Sequence, residues 1–318
     1  MIAALLSPMV LFFGLGAFAA LARSDLAIPE AVGKAMAIYL MVAIGLKGGV
    51  AVAAEGFTTE LAVATILGLL LSVALPLPAF WLLRRLGRQS ATDAAAISAH
   101  YGSVSVVTFV AGIEMLKLAE LPASGYMIAV LALMETPAIV IGLLLARWAT
   151  QQGGVAASRL AHETFFNGSA VLLVGSIMIG LVVGNDGYAQ VASVFEAGFR
   201  GVLCLFLLDM GLIAARRLRE TRSLTLRLGM LAILVPIMNG SVGTALAAMV
   251  GLGIANAAAF GILAASASYI AVPAAIRMAL PEANAGTSLA MSLGVTFPFN
   301  VTLGIPFYIW LARSITVS

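Results

Sequence analysis

Cysteine, charge and histidine are all scarce in this sequence of 318 residues. The single cysteine, Cys204, excludes an intrachain disulfide and reads as a packing residue. Charged residues make up 10% of the chain against 62% hydrophobic, with mean hydropathy +1.09. A water-soluble domain cannot present so little charge, so the class is polytopic, all-α membrane protein. The two histidines, His100 and His162, do not make a His-Glu-x-x-His zinc helix, and no serine stands in a nucleophile elbow, so the chain does not read as an enzyme and implies no cofactor. No segment is large enough to offer nucleic acid a platform. The first basic residue, Arg23, follows the first apolar run, which is expected to stay as a helix and not to act as a cleaved leader.

What is abundant is apolar sequence in lengths of roughly 20 residues, the length that crosses a bilayer. Ten spans are expected, at about Leu5–Leu21, Pro29–Ala54, Leu61–Leu83, Thr92–Leu118, Ser124–Ala149, Phe165–Val183, Ala192–Ala215, Leu224–Val250, Asn256–Leu280 and Thr287–Ala312. The net charge of +3 is small, but its placement is uneven. Arg23, Lys34, Arg84, Arg85, Arg88, Arg147, Arg159, Arg216, Arg217, Arg219, Arg222, Arg227 and Arg277 gather on one side, and Lys117, Arg200 and Arg313 on the other. The positive-inside rule makes the first side cytoplasmic, which puts the protein in the plasma membrane with both termini outside.

Two stretches interrupt the apolar pattern. Span four contains Ser98-Ala99-His100-Tyr101-Gly102-Ser103-Val104-Ser105, and span nine contains Ser266-Ala267-Ser268-Tyr269-Ile270-Ala271-Val272-Pro273. Both read Ser-Ala-x-Tyr-x-x-Val, 168 positions apart. Glu30-Ala31 with Gly45-Leu46 is likewise matched by Glu196-Ala197 with Gly211-Leu212. The chain therefore divides into a five-span repeat at 1–149, a linker at 150–162 and a second five-span repeat at 163–318. An odd number of spans inverts the second repeat relative to the first.

Small hydroxyl residues in the middle of a span point to a broken helix. Lipid cannot satisfy the backbone groups that a break frees, so breaks occur inside protein or beside a polar cavity. Gly102 and Ser103 suit a break in span four, and Pro273, which lacks an N–H, suits one in span nine. The half-helices that follow present their N-termini, so two of them make an anion site from backbone. The candidate substrate residues are Gly102, Ser103, Val104, Ser105, Thr108, Ser266, Ser268, Tyr269 and Pro273. The other reading of these small residues is close helix packing. Glu135 is an acid inside span five, beside Thr136 and Pro137, and reads as a ligand for a coupling Na⁺ or H⁺ or as a neutral structural residue. Asp209, Asn239, Thr296 and Asn300 are candidate oxygen ligands for the same cation, the asparagines serving equally well as interhelical hydrogen bonds. Lys47 is expected either to pair with Asp209 or to stand in for a cation. Phe12, Phe13, Trp81 and Trp310 are expected to face lipid or the membrane interface.

The motifs Ile28-Pro29-Glu30-Ala31, Ile44-Gly45-Leu46-Lys47-Gly48-Gly49, Tyr101-Gly102-Ser103-Val104-Ser105 and Glu135-Thr136-Pro137-Ala138 resemble those of the sodium-dependent bicarbonate transporter family, in order and over nearly the whole chain. That resemblance implies ten helices in two inverted repeats, alternating access and cation-coupled uptake of a small anion. It also implies a trimer and an acid at the position of Glu135. A Na⁺/H⁺ antiporter and a cation-coupled carrier of small organic acids share the wider clan. The chain departs from the family at Lys47, where the family has Thr, and at Tyr269, where it has a carboxylate. The linker is also much shorter than the family's cytoplasmic loop, so a regulatory partner on that loop is not expected.

Overall fold

The computed structural model describes residues 7–135, 137–150, 168–221, 223–270, 272–273, 275–276 and 280–316. Among them there is helix and no strand. The helices are α1 (Pro8–Leu21), α2 (Glu30–Glu55), α3 (Thr59–Ala74), α4 (Pro76–Arg85), α5 (Ala91–Gly102), α6 (Val106–Leu118), α7 (Met127–Glu135), α8 (Pro137–Thr150), α9 (Gly168–Ala189), α10 (Phe199–Glu220), α11 (Leu226–Met249), α12 (Ile254–Ala265) and α13 (Ala285–Ile315). Helix α13 is continuous but π-helical over Ala290–Thr296 and Asn300–Gly304.

Seven helical stretches among the described residues are long and apolar enough to cross a membrane. They are α2, the pair α3–α4, the pair α5–α6, the pair α7–α8, α9, α11 and α13. Of the ten expected spans, α1 and α12 are shorter apolar helices, and α10 is long but carries Arg200, Asp209, Arg216, Arg217 and Arg219. The expected linker at 150–162 and the residue Thr136 lie outside the described residues, apart from Thr150 at the end of α8.

Glycine decides which helices lie together. Helix α2 runs along α9, and α1 runs along α10. A methyl on Gly49 would run into the carbonyl of Ile177, and one on Gly180 into the carbonyl of Leu46. Gly16 and Gly211 stand in the same relation to Leu208 and Phe13. Backbone meets backbone at these points because no side chain intervenes, which is how helices associate without a hydrophobic driving force between them. A second group of helices packs around α5, with α4 and α8 against it, and α11, α12 and α13 against one another. In α5 every residue from Ala94 to Gly102 is buried. Its alanines let neighbours approach from all sides, so the least regular segment of the chain lies at the centre. Phe13, expected at the lipid, is buried instead, edge-on to Phe297 at 5.4 Å. Phe12, Trp81 and Trp310 are exposed on the outer surface.

Candidate functional site

Helix α5 stops at Gly102 because the chain turns extended: Ser103 has φ −83° and ψ 164°, and Ser105 has φ −110° and ψ 112°. A methyl at Gly102 would overlap the ring of Pro76 on α4 and press on Ala138 of α8 at 3.0 Å, so only glycine fits between those helices. Helix α6 then begins with Ser105 as its cap, the hydroxyl accepting the N–H of Thr108 at 3.2 Å. Helix α12 ends in the same manner at Ala265, with Ser266 extended at φ −74° and ψ 156°. Pro273 lies buried in the helical turn Val272–Pro273 that follows this second break.

The two breaks cross and bond to each other. The Ser105 N–H donates to the Ser266 hydroxyl at 2.9 Å, and the Ser268 N–H donates to the carbonyl of His100 at 2.9 Å. His100 Nδ1 meets the carbonyl of Ser268, which requires the proton on that nitrogen. The buried histidine therefore fastens the crossing.

Neighbouring helices supply the remaining partners. Asn239 on α11 donates its amide to the carbonyl of Tyr101 at 3.2 Å, and Asn300 on α13 donates to that of Ala265 at 2.8 Å. Each amide serves a carbonyl left at the end of a broken helix. Thr296 donates to the carbonyl of Ala232 at 2.6 Å, so the Tyr101 hydroxyl, 2.8 Å away, donates to Thr296. Ser103 donates to the carbonyl of Glu135 at 2.8 Å, and Ser72 to that of Met134 at 2.8 Å. These two bonds place the end of α7 against the first break. Among the described residues, three buried polar atoms on the segments that meet here have no hydrogen-bond partner: Glu135 Oε2, Asn239 Oδ1 and the hydroxyl of Tyr269. The Tyr269 hydroxyl faces Ser105 without closing a bond, and its ring stands edge-on to Phe297 at 5.5 Å.

The family described as the Na⁺-dependent bicarbonate transporter superfamily matches residues 8–313, nearly the whole chain. The protein belongs to this superfamily. No curated protein matches it individually. Membership makes it a transporter and not an enzyme, and with its apolar helices it is a multi-pass membrane protein.

Within this superfamily member, the predicted residues Gly102, Ser103, Val104, Ser105, Thr108, Ser266, Ser268 and Tyr269 come together at the crossing, all buried. Glu135, Asn239, Asn300 and Thr296 adjoin it through the bonds above. Asp209 does not. It lies against α2 at Gly33, while Lys47 pairs with Glu196 at 2.8 Å. Fourteen residues of α2 separate Gly33 from Lys47, about 21 Å at 1.5 Å per residue. The expected Lys47–Asp209 pair is therefore excluded, because the two residues lie at different depths.

The sequence reading missed Glu114. Its carboxylate is buried and accepts from Lys117 at 2.6 Å and from Arg200 at 2.8 Å, joining α6 to α10. The spacing of Glu114 and Lys117 on one helix was a visible signal. The partner Arg200 was not, because it comes from the other group of helices.

Proposed function

We propose that the protein carries bicarbonate, or a similar small anion, together with Na⁺, at the crossing of the two broken helices. The observation that carries this reading is the set of unpartnered buried atoms at that point. Glu135 Oε2 and Asn239 Oδ1 are acceptors with no donor, an arrangement that suits an alkali cation. The Tyr269 hydroxyl is a free donor, and the first turn of α6 leaves the N–H groups of Val106 and Val107 beyond those used by Ser105 and Thr108. Donors at a helix N-terminus suit an anion. A carboxylate with its cation and an anion beside helix N-termini bring the total charge close to neutral, which lowers the barrier to movement across a low-dielectric region.

The same reading takes the chain as ten spans in two inverted repeats. It is supported by the exchange of partners between halves, α1 with α10 and α2 with α9, each pair joined by reciprocal glycine contacts. Alternating access then moves the group around α5 and α12 against the group of α1, α2, α9 and α10. The face bearing Arg84, Arg85, Arg216 and Arg217 is cytoplasmic in this scheme, with both termini outside. The test is uptake of labelled bicarbonate by proteoliposomes under an imposed Na⁺ gradient. Accumulation that follows the gradient supports the reading. Absence of uptake with bicarbonate, with gradient-driven movement of a small organic acid or of protons instead, replaces it with one of the clan's other activities.

A further inference from the structure

A cavity of about 360 Å³ lies between the two helix groups, away from the crossing. Its walls are mostly apolar, with Ile44 and Val50 from α2, Val110 and Ile113 from α6, and Phe199 from α10. Lys47, Lys117, Glu114 and Tyr188 also line it. Helix α6 connects the two places: its cap, Ser105, is at the crossing, and Val110, five residues on, is at the cavity, about 8 Å along the helix axis.

The charges at this cavity do not cancel. Lys117 and Arg200 share Glu114, and Lys47 holds Glu196. Of the charged groups among the described residues that line the cavity, Lys47 and Lys117 are cations and Glu114 is the one carboxylate, Arg200 and Glu196 lying outside the lining. Glu55 and Glu60, on the side of Tyr126, do not line the cavity. An uncompensated charge beside apolar walls is unfavourable without a counter-ion. One monovalent anion brings the cluster to neutrality. The Tyr188 hydroxyl, buried and without a hydrogen-bond partner among the described residues, is a donor ready to direct it. The carboxylate of Glu114 already shows how this cluster accommodates oxygen acceptors, with contacts of 2.6 and 2.8 Å.

We propose that this cavity is a second anion site, which takes a small monovalent oxyanion between Lys47 and Lys117 with the Tyr188 hydroxyl as donor. Its role as an entry station for the crossing rests on the transport reading given above, whereas binding at the site does not. Because Glu114 ties α6 to α10 through Arg200, an anion that competes for these cations also loosens the two helix groups from each other.

The test uses the full chain in lipid nanodiscs, with Cys204→Ser to remove the only native thiol and Ala123→Cys at the cavity wall as a reporter. Labelling by a water-soluble maleimide is timed with and without bicarbonate, and again with nitrate. Both anions are expected to slow labelling severalfold. Tyr188→Phe, which keeps the ring and removes the donor, should weaken the protection, and Lys47→Gln with Lys117→Gln should abolish it. Ser105→Ala, which removes a hydroxyl at the crossing and no residue of the cavity wall, should leave it intact. Labelling indifferent to both anions overturns the proposal. So does protection that survives Tyr188→Phe and the lysine pair but disappears with Ser105→Ala, since it then originates at the crossing. Protection by both anions in a protein that does not transport bicarbonate leaves this site standing and removes the transport reading. Bicarbonate uptake without protection does the reverse.

Discussion

Replacing Ser266 by alanine removes one oxygen, and the loss falls on another segment's backbone. The Ser266 hydroxyl accepts the N–H of Ser105 at 2.9 Å, and both residues are buried. The Ser105 N–H belongs to a broken helix and has no intrahelical acceptor. Without Ser266 it is a buried donor with no partner, which costs about 1–3 kcal/mol. The hydroxyl's other bond, to the carbonyl of Leu263 at 2.8 Å, adds little, because that carbonyl keeps the Ser266 N–H at 3.1 Å. At roughly 2–4 °C per kcal/mol, the melting temperature of Ser266→Ala should fall by about 2–12 °C. Ser98→Ala is the comparison. Ser98 is equally buried, but its hydroxyl only bonds back to the carbonyl of Ala95 in its own helix at 2.8 Å. Its removal leaves no donor stranded and should change stability by less than about 1 kcal/mol. The assay is the loss of monodisperse protein with temperature, both variants in the same lipid. Equal melting temperatures for the two would refute the claim that the breaks hold each other.

Gly49→Val places a side chain against the Ile177 carbonyl and the Gly180 Cα, so α2 and α9 cannot meet and no monodisperse protein is expected on gel filtration. Gly175→Ala on α9, where a methyl meets nothing within 4 Å, should instead leave the elution unchanged and raise stability by up to about 1 kcal/mol. Lys47→Thr breaks an ion pair with the partly exposed Glu196 and should cost less than about 1 kcal/mol. Its effect on melting should add to that of Asp209→Asn, because the two residues share no partner. A coupling energy between them above about 0.5 kcal/mol would contradict the placement of Asp209 at Gly33.

The breaks were legible because Ser98–Ser105 and Ser266–Pro273 interrupt otherwise apolar spans twice in one pattern, and polar backbone has to be accommodated wherever lipid cannot solvate it. Gly49 and Gly180 bring backbone against backbone for a related reason, since small residues are what allow helices to touch in a membrane. Partners were harder to read. Lys47 was set against Asp209 on the assumption of equal depth, and the depth of a charge depends on the register of one helix against another, which spacing within a helix does not fix. Phe13 looked lipid-facing because an aromatic ring suits lipid and core equally, and only the neighbouring Phe297 decides between them. For Asn239 and Asn300 the sequence offered both an oxygen and an amide. The fold uses the amides on broken-helix carbonyls and leaves only Asn239 Oδ1 without a partner. Thr136, set beside Glu135 in the sequence argument, lies outside the described residues.

Cation dependence of uptake by Glu135→Gln separates a coupling carboxylate from a structural one. Gln keeps the size of the side chain and the backbone carbonyl that accepts from Ser103, and it removes the negative charge. Wild-type and variant protein are reconstituted at equal density, and labelled bicarbonate uptake is followed with an inward Na⁺ gradient and with none. Gradient-driven accumulation is expected for the wild type, and its loss in a variant that still folds and elutes normally. Undiminished Na⁺-driven accumulation by Glu135→Gln would contradict a coupling role for Glu135.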